Sequence, residues 1–139
     1  MNVSPYLILD GTCEAAFAFY AKTLGAKIVT TKKFRDVPEA CEGIPESALD
    51  RTMHVALQIG DTVLMGSDSH PMFPYEGIKG ASVSVSVDDA AEAERVFAAL
   101  AKGGNVQMPM GETFWSVRFG MCVDQFGVPW MVNCDKPPA

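Results

Sequence analysis

The chain has 139 residues, 48% hydrophobic and 20% charged, enough apolar material for one domain, or for two half-domains sharing a core, and too much for a disordered chain. Eleven Lys and Arg against seventeen Asp and Glu give a formal charge of -6, and the cations cluster no further than Lys32, Lys33 and Arg35, so no nucleic-acid partner is expected. The first apolar run has no basic stretch ahead of it and breaks at Asp10, short of a secretory core or a membrane span, so a cytoplasmic protein without membrane contact is expected.

In chain order, a short strand comes first, with Leu7 and Leu9 on one side and Ser4, Tyr6 and Ile8 on the other. After an acidic turn, Thr12 is a good N-cap for a helix that presents Phe17, Tyr20, Ala21 and Leu24 at helical spacing and stops at Gly25. A strand through Ile28 follows. The stretch from Asp36 to Asp50 carries turn residues and acidic charge without periodicity, and reads as a loop, either a solvated surface or a substrate lid. Met53 to Ile59 then turns at Gly60-Asp61 into Thr62 to Ser67, a hairpin, before a second loop from Asp68 to Gly80. In Ala81-Ser82-Val83-Ser84-Val85-Ser86-Val87 the alternation is strict: the valines face a core, and the serines face away from it. Asp89, with Glu92 three residues on, has the capping-box pattern for a second helix, which presents Ala93, Val96, Phe97 and Leu100 before Gly103. A strand through Val106 precedes a last hairpin, in which Val117 to Val123 turns through Asp124-Gln125-Phe126-Gly127 into Val128 to Cys134.

Sliding the chain along itself by 78 residues places Asp10, Glu14, Ala15, Phe19 and Gly25 on Asp88, Glu92, Ala93, Phe97 and Gly103. Each half reads β-α-β-β-β, so the expected class is α+β, two such modules related by pseudo-twofold symmetry and forming cup-shaped mixed sheets. The expected organisation is a single domain over 1–139, with module one at about 1–68, a linker at about 69–80 and module two at about 81–136. Strand parity puts Tyr6, His54, Ala56, Gln58, Val63, Met65, Ser67, Ser82, Ser84, Met131 and Asn133 on the open faces, away from the helices. Burying Ser82 and Ser84 against nothing polar would cost about 1–3 kcal/mol each, which favours a solvated or ligand-filled cavity there.

Several motifs together resemble the vicinal oxygen chelate superfamily of glyoxalase I, extradiol dioxygenases and bleomycin-resistance proteins, and within it the PhnB-like branch. They are Ser4-Pro5-Tyr6-Leu7, Asp10-Gly11-Thr12-Cys13-Glu14-Ala15, Phe19-Tyr20, Gly60 to Asp68, Glu112-Thr113-Phe114-Trp115 and Asp124 to Trp130. That branch often carries the label 3-demethylubiquinone-9 3-methyltransferase-like, yet the glycine-rich strand-to-helix loop that an adenosyl cofactor needs is not visible, so methyl transfer is not expected. The resemblance implies a homodimer and, for superfamily enzymes, a divalent metal held from the first and last strand of each module. The corresponding positions here hold Ser4 (or Pro5, if the register slips by one), Met65, Ser82 and Met131. Hydroxyls and thioethers are poor ligands for the usual cations; the thioethers would suit Cu(I) or simple packing, and no metal or other cofactor is expected.

Among groups that could act chemically, His54 is the catalytic candidate, as a general acid or base, or else a hydrogen-bonding pocket residue. Trp115 could stack on a planar ligand and Arg118 bind an anionic group, with Glu112 nearby; alternatively they form a salt bridge and an aromatic contact. Cys13, Cys41, Cys122 and Cys134 show no metal or redox spacing and are expected to be reduced. Three functions fit. One is a binding protein for a small organic molecule, using Tyr6, Met65, Ser82, Ser84, Trp115, Arg118, Met131 and Asn133 around His54. Another is a lyase, isomerase or dioxygenase with a nonstandard metal site, and the third is a drug-sequestering protein of the bleomycin-resistance kind.

Overall fold

Strands form where alternation is cleanest, and helices where apolar residues recur every three or four positions. A computed structural model describes residues 1–137. Its elements are β1 (Tyr6–Leu9), α1 (Cys13–Leu24), β2 (Lys27–Lys33), β3 (Thr52–Ile59), β4 (Thr62–Asp68), β5 (Val83–Val87), α2 (Ala90–Ala101), β6 (Asn105–Gly111), β7 (Ser116–Val123) and β8 (Pro129–Asp135). Three short 3-10 turns lie between β2 and β3. No helix among the described residues is long and apolar enough to cross a membrane.

The chain divides into two compact units, Met1–Gly77 and Ile78–Ala139. In the first, the strand order is β1-β4-β3-β2, with β1 parallel to β4 and the remaining pairs antiparallel. In the second it is β5-β8-β7-β6, with β5 parallel to β8. Each unit is therefore β-α-β-β-β, the duplicated α+β topology of glyoxalase/bleomycin-resistance proteins.

In the first unit Leu7, Leu9, Val55, Leu57 and Leu64 are buried with Cys13, Ala16, Phe17 and Tyr20 of α1. Burial of each large side chain stabilises the unit by about 1.5–3 kcal/mol. In the second, Val132, Trp130, Cys122 and Cys134 are buried with Ala93, Val96, Phe97 and Leu100 of α2. The pairs Val83↔Trp130, Val85↔Val132 and Val87↔Cys134 put the valines of β5 on that same side.

Four details differ from the sequence reading. The helices start at Cys13 and Ala90, one residue off the repeat found by sliding the chain, and one residue turns a helical face by about 100°. Tyr20 therefore fills the core as Phe97 does, while Phe19 is half-buried. Thr12 makes no side-chain cap; instead the Cys13 amide donates to Asp68 Oδ1 at 3.0 Å, a cap delivered from the end of β4. At α2, Asp89 accepts the Glu92 amide as expected, but the Glu92 carboxylate is taken by Arg95 at 2.6 Å, leaving half a capping box. The segment after β4, read as the start of a linker, belongs to the first unit: the Ser69 amide donates to the Leu9 carbonyl and His70 bridges to Phe73.

Candidate functional site

On the first sheet, register rather than chain proximity assembles the candidate group. Tyr6 pairs with Met65, Met65 with Ala56, and Ile8 with Ser67, so these side chains share the face turned away from α1. His54 lies on β3 at the same parity and pairs with Lys32 of β2. The Tyr6 hydroxyl lies 3.2 Å from His54 Nδ1, and the two rings stack with centroids 5.7 Å apart and 26° between planes. Tyr6 remains 44% exposed. With the proton on His54 Nε2, the hydroxyl donates to Nδ1 and the Nε2–H is left for another acceptor. Met65 is half-buried next to Tyr6 and Val63 is half-buried opposite Gln58, while Ala56 is buried between Met65 and Thr30.

The second unit carries a separate group. Ser84 pairs with Met131, which pairs with Met121; Ser86 pairs with Asn133, which pairs with Phe119. Trp115 packs edge-on against Phe119 at 5.3 Å and Phe114 at 4.7 Å. The Asn133 side chain is already engaged, accepting from the Ser116 hydroxyl and donating to Asp135 Oδ1 at 2.7 Å. Ser82 precedes β5 and is exposed, because the strand begins at Val83. Arg118 lies at the opposite parity to Phe119, where its Nε donates to Glu94 of α2 at 3.0 Å. Arg118 is thus ion-paired with Glu94 rather than with Glu112, which faces Lys136 at 4.0 Å.

The four positions implied for a metal hold donors that do not fit one. Met65 and Met131 offer thioethers, and Ser4 and Ser82 lie before their strands and offer neutral hydroxyls. No cluster of three or more His, Cys, Asp or Glu able to hold an ion exists among the described residues.

Sequence reasoning missed three polar anchors. Asp68 is buried and also accepts the Thr52 amide at 2.9 Å, which ties β3, β4 and the start of α1 together. Asp124 is buried at the β7–β8 turn and accepts from the Phe126 and Val128 amides and from Trp130 Nε1. Arg51 bonds Asp10 and Ser69. A lone Asp at a strand end is ordinary turn chemistry in a sequence, and nothing local marks its distant donors.

Burial, followed by the charge of Asp68, pushes the Cys13 thiol up to about 12 against a smaller opposing hydrogen bond with Thr52. Burial and Asp124 push Cys122 up to about 11. Cys134 is buried as well, whereas Cys41 is half-buried. Because the thiolate is the reactive form, Ellman's reagent at about pH 8 should label Cys41 alone in the folded protein and all the thiols after unfolding. Rapid labelling of Cys13 or Cys122 in the native state, located by peptide mass spectrometry, would contradict this assignment.

Comparison with known proteins gives consistent relatives. A family model described as 3-demethylubiquinone-9 3-methyltransferase matches residues 1–133. Protein YjdN of Escherichia coli (strain K12) is 32% identical over 146 residues, spanning 98% of this chain and 97% of that protein. The crystal structure of protein PA1353 from Pseudomonas aeruginosa is 50% identical, covers 99% of each chain and superposes with a TM-score of 0.90. The PhnB protein from Bacillus cereus shares the fold, with a TM-score of 0.80 at 22% identity over 96% of this chain and 99% of that one.

Proposed function

From its place in the 3-demethylubiquinone-9 3-methyltransferase family, the PhnB-like branch of the vicinal oxygen chelate superfamily, to which the chain belongs, we propose that it binds a small, largely apolar organic molecule. The open face of the first sheet is the site, and the observation that carries the reading is the Tyr6–His54 pair, stacked rings joined at 3.2 Å on a face shared with Ile8, Ala56, Val63 and Met65 and with the polar Lys32, Gln58 and Ser67. Apolar side chains with a few polar groups set among them are what a small-molecule site uses to hold and orient its ligand. Tyr6 supplies ring area with a polar tip, and His54 supplies the Nε2–H that would orient a ligand oxygen. Ser84, Met131 and Asn133, with Trp115, form the corresponding polar and aromatic group of the second unit. The same reading takes the protein as a cytoplasmic homodimer, supported by the resemblance and by the exposed Val106, Met108, Phe114 and Trp115.

The methyl transfer named in the family description would require an adenosyl cofactor, and the residues present do not fit one. Such cofactors use a glycine-rich turn and a free helix N-terminus in a parallel sheet. Here the first amide of α1 is held by Asp68, and the start of α2 is capped by Asp89. His54 remains the group on the open face able to move a proton, which keeps a lyase or isomerase activity as the enzymatic form of the same site.

The test is a thermal-shift screen of small organic molecules with and without divalent metals, followed by titration of each hit. A ligand at a hundred times its Kd should raise stability by about 2.7 kcal/mol. The shift should shrink in His54→Ala and Tyr6→Phe while both variants keep the wild-type circular dichroism. Hits whose shifts are unchanged in both variants would place binding elsewhere and overturn the reading.

A further inference from the structure

The two loops that lack periodicity meet in the first unit, and a cleft of about 380 Å3 lies between them, with Asp10, Arg51, Ser69, His70 and Tyr75 as its polar lining. It sits at the end of the sheet marked by Leu9, Asp68 and the start of β3, and it shares neither Tyr6 nor His54 with the open face.

We propose that this cleft is a second binding site, for a small monocarboxylate with an apolar or aromatic body. Its polar inventory is rich in donors. Arg51 Nη2 donates to Asp10 Oδ1 at 3.0 Å and to Ser69 Oγ at 3.2 Å, and the Nε–H is buried with no hydrogen-bond partner among the described residues. A buried, unanswered guanidinium N–H is costly, and a modest turn of the group toward an entering carboxylate would give it an acceptor. Asp10 only partly offsets this cation: its side chain is 62% exposed and screened by water, against 29% for Arg51. His70 adds a second donor. Its Nδ1 accepts the Met72 amide at 3.0 Å, which fixes the neutral ring's proton on Nε2, while Phe34 holds the ring edge-on at 6.0 Å. The Tyr75 hydroxyl is a third. Opposite these donors, Phe34, Ile44, Pro45, Ala48, Pro71 and Pro74 offer carbon and no charge. With a single cation, already shared with Asp10, and otherwise neutral donors, the lining suits one carboxylate rather than a dianionic phosphate. The apolar remainder suits a hydrocarbon or aromatic body, with proline rings giving flat walls that lose little conformational freedom on binding.

The probe is phenylacetate, titrated to millimolar concentration into the full chain and followed by nitrogen–proton NMR, with phenylacetamide as its uncharged counterpart. Saturable shifts are expected at the Arg51 Nε–H and at the amides of Ala48, Ser69, His70 and Tyr75, with phenylacetamide binding at least about tenfold more weakly. Arg51→Gln should weaken phenylacetate by about tenfold or more. Because that variant also loses the Asp10 bond, Ala48→Phe serves beside it: the ring fills the cleft, leaves the ion pair untouched and should abolish the shifts. His54→Ala should leave them unchanged, which separates this site from the open face. The proposal is overturned by absence of saturable shifts, by equal binding of the amide, by shifts centred on Tyr6 and His54, or by wild-type binding in Ala48→Phe.

Discussion

Asp124→Ala is expected to destabilise the protein by about 3–5 kcal/mol, because it removes one buried acceptor from three donors at once and each orphaned donor costs about 1–3 kcal/mol. The carboxylate is 3% exposed, and its Oδ1 receives the Phe126 and Val128 amides at 2.8 and 3.0 Å while Oδ2 receives Trp130 Nε1 at 2.8 Å. These bonds close the turn between β7 and β8 and fix the ring of Trp130, among the largest fully buried side chains of the second unit. Asp124→Asn keeps the shape but replaces one acceptor with an NH2 that must face a donor, so its cost should be smaller, about 1–3 kcal/mol. Trp130→Phe removes the indole donor, and the double variant Asp124→Asn/Trp130→Phe should then be less destabilised than the sum of its singles. Urea unfolding followed by circular dichroism measures all of these. A loss under about 1 kcal/mol for Asp124→Ala would show that the carboxylate is dispensable to the turn.

That carboxylate also shows where the sequence stopped being legible. The turn Asp124-Gln125-Phe126-Gly127 was readable as a turn, since its residue types are turn residues, but not as a buried anchor, because the indole it binds lies on the next strand. The same holds for Asp68, whose donors at Cys13 and Thr52 are 55 and 16 residues away in the chain. What alternation could reach, it reached well: the Ser and Val parity of β5, both hairpins and the shared face of Tyr6, His54 and Met65 all follow from a period of two. Arg118 shows the limit of that rule. A register irregularity between Ser116 and Arg118 separates it from Trp115, and its partner Glu94 sits on a helix that strand parity alone does not position. The cleft was out of reach for a different reason. Its walls come from two aperiodic loops, and only tertiary structure brings Ile44 and Ala48 to Ser69 and His70.

Gly66→Ala is expected to cost about 3 kcal/mol, toward the upper end of the overpacking range, for a reason that lies in how closely α1 approaches its sheet. A Cβ at Gly66 would stand 2.7 and 2.8 Å from the Phe17 ring and 2.9 Å from the Leu7 carbonyl oxygen. Phe17 is fully buried and Leu7 belongs to the paired strand β1, so neither can yield without moving the helix or the ladder. Gly120 of the second unit is the control. There a Cβ would meet Met110 Sδ at 2.6 Å, the Phe97 ring at 2.8 Å and the Met108 carbonyl at 3.2 Å. The nearest of these is the end of a flexible thioether chain, and the backbone stands farther off. Gly120→Ala should therefore cost at least about 1 kcal/mol less than Gly66→Ala in the same urea titration. Adding Phe17→Leu to Gly66→Ala should recover part of the loss by removing the ring atoms in conflict. Recovery must stay incomplete, because the Leu7 carbonyl remains and the smaller side chain leaves core volume unfilled. Equal costs at the two glycines would mean that the sheet backbone yields as readily as a methionine side chain, and the close approach of α1 would then not be what requires glycine at position 66.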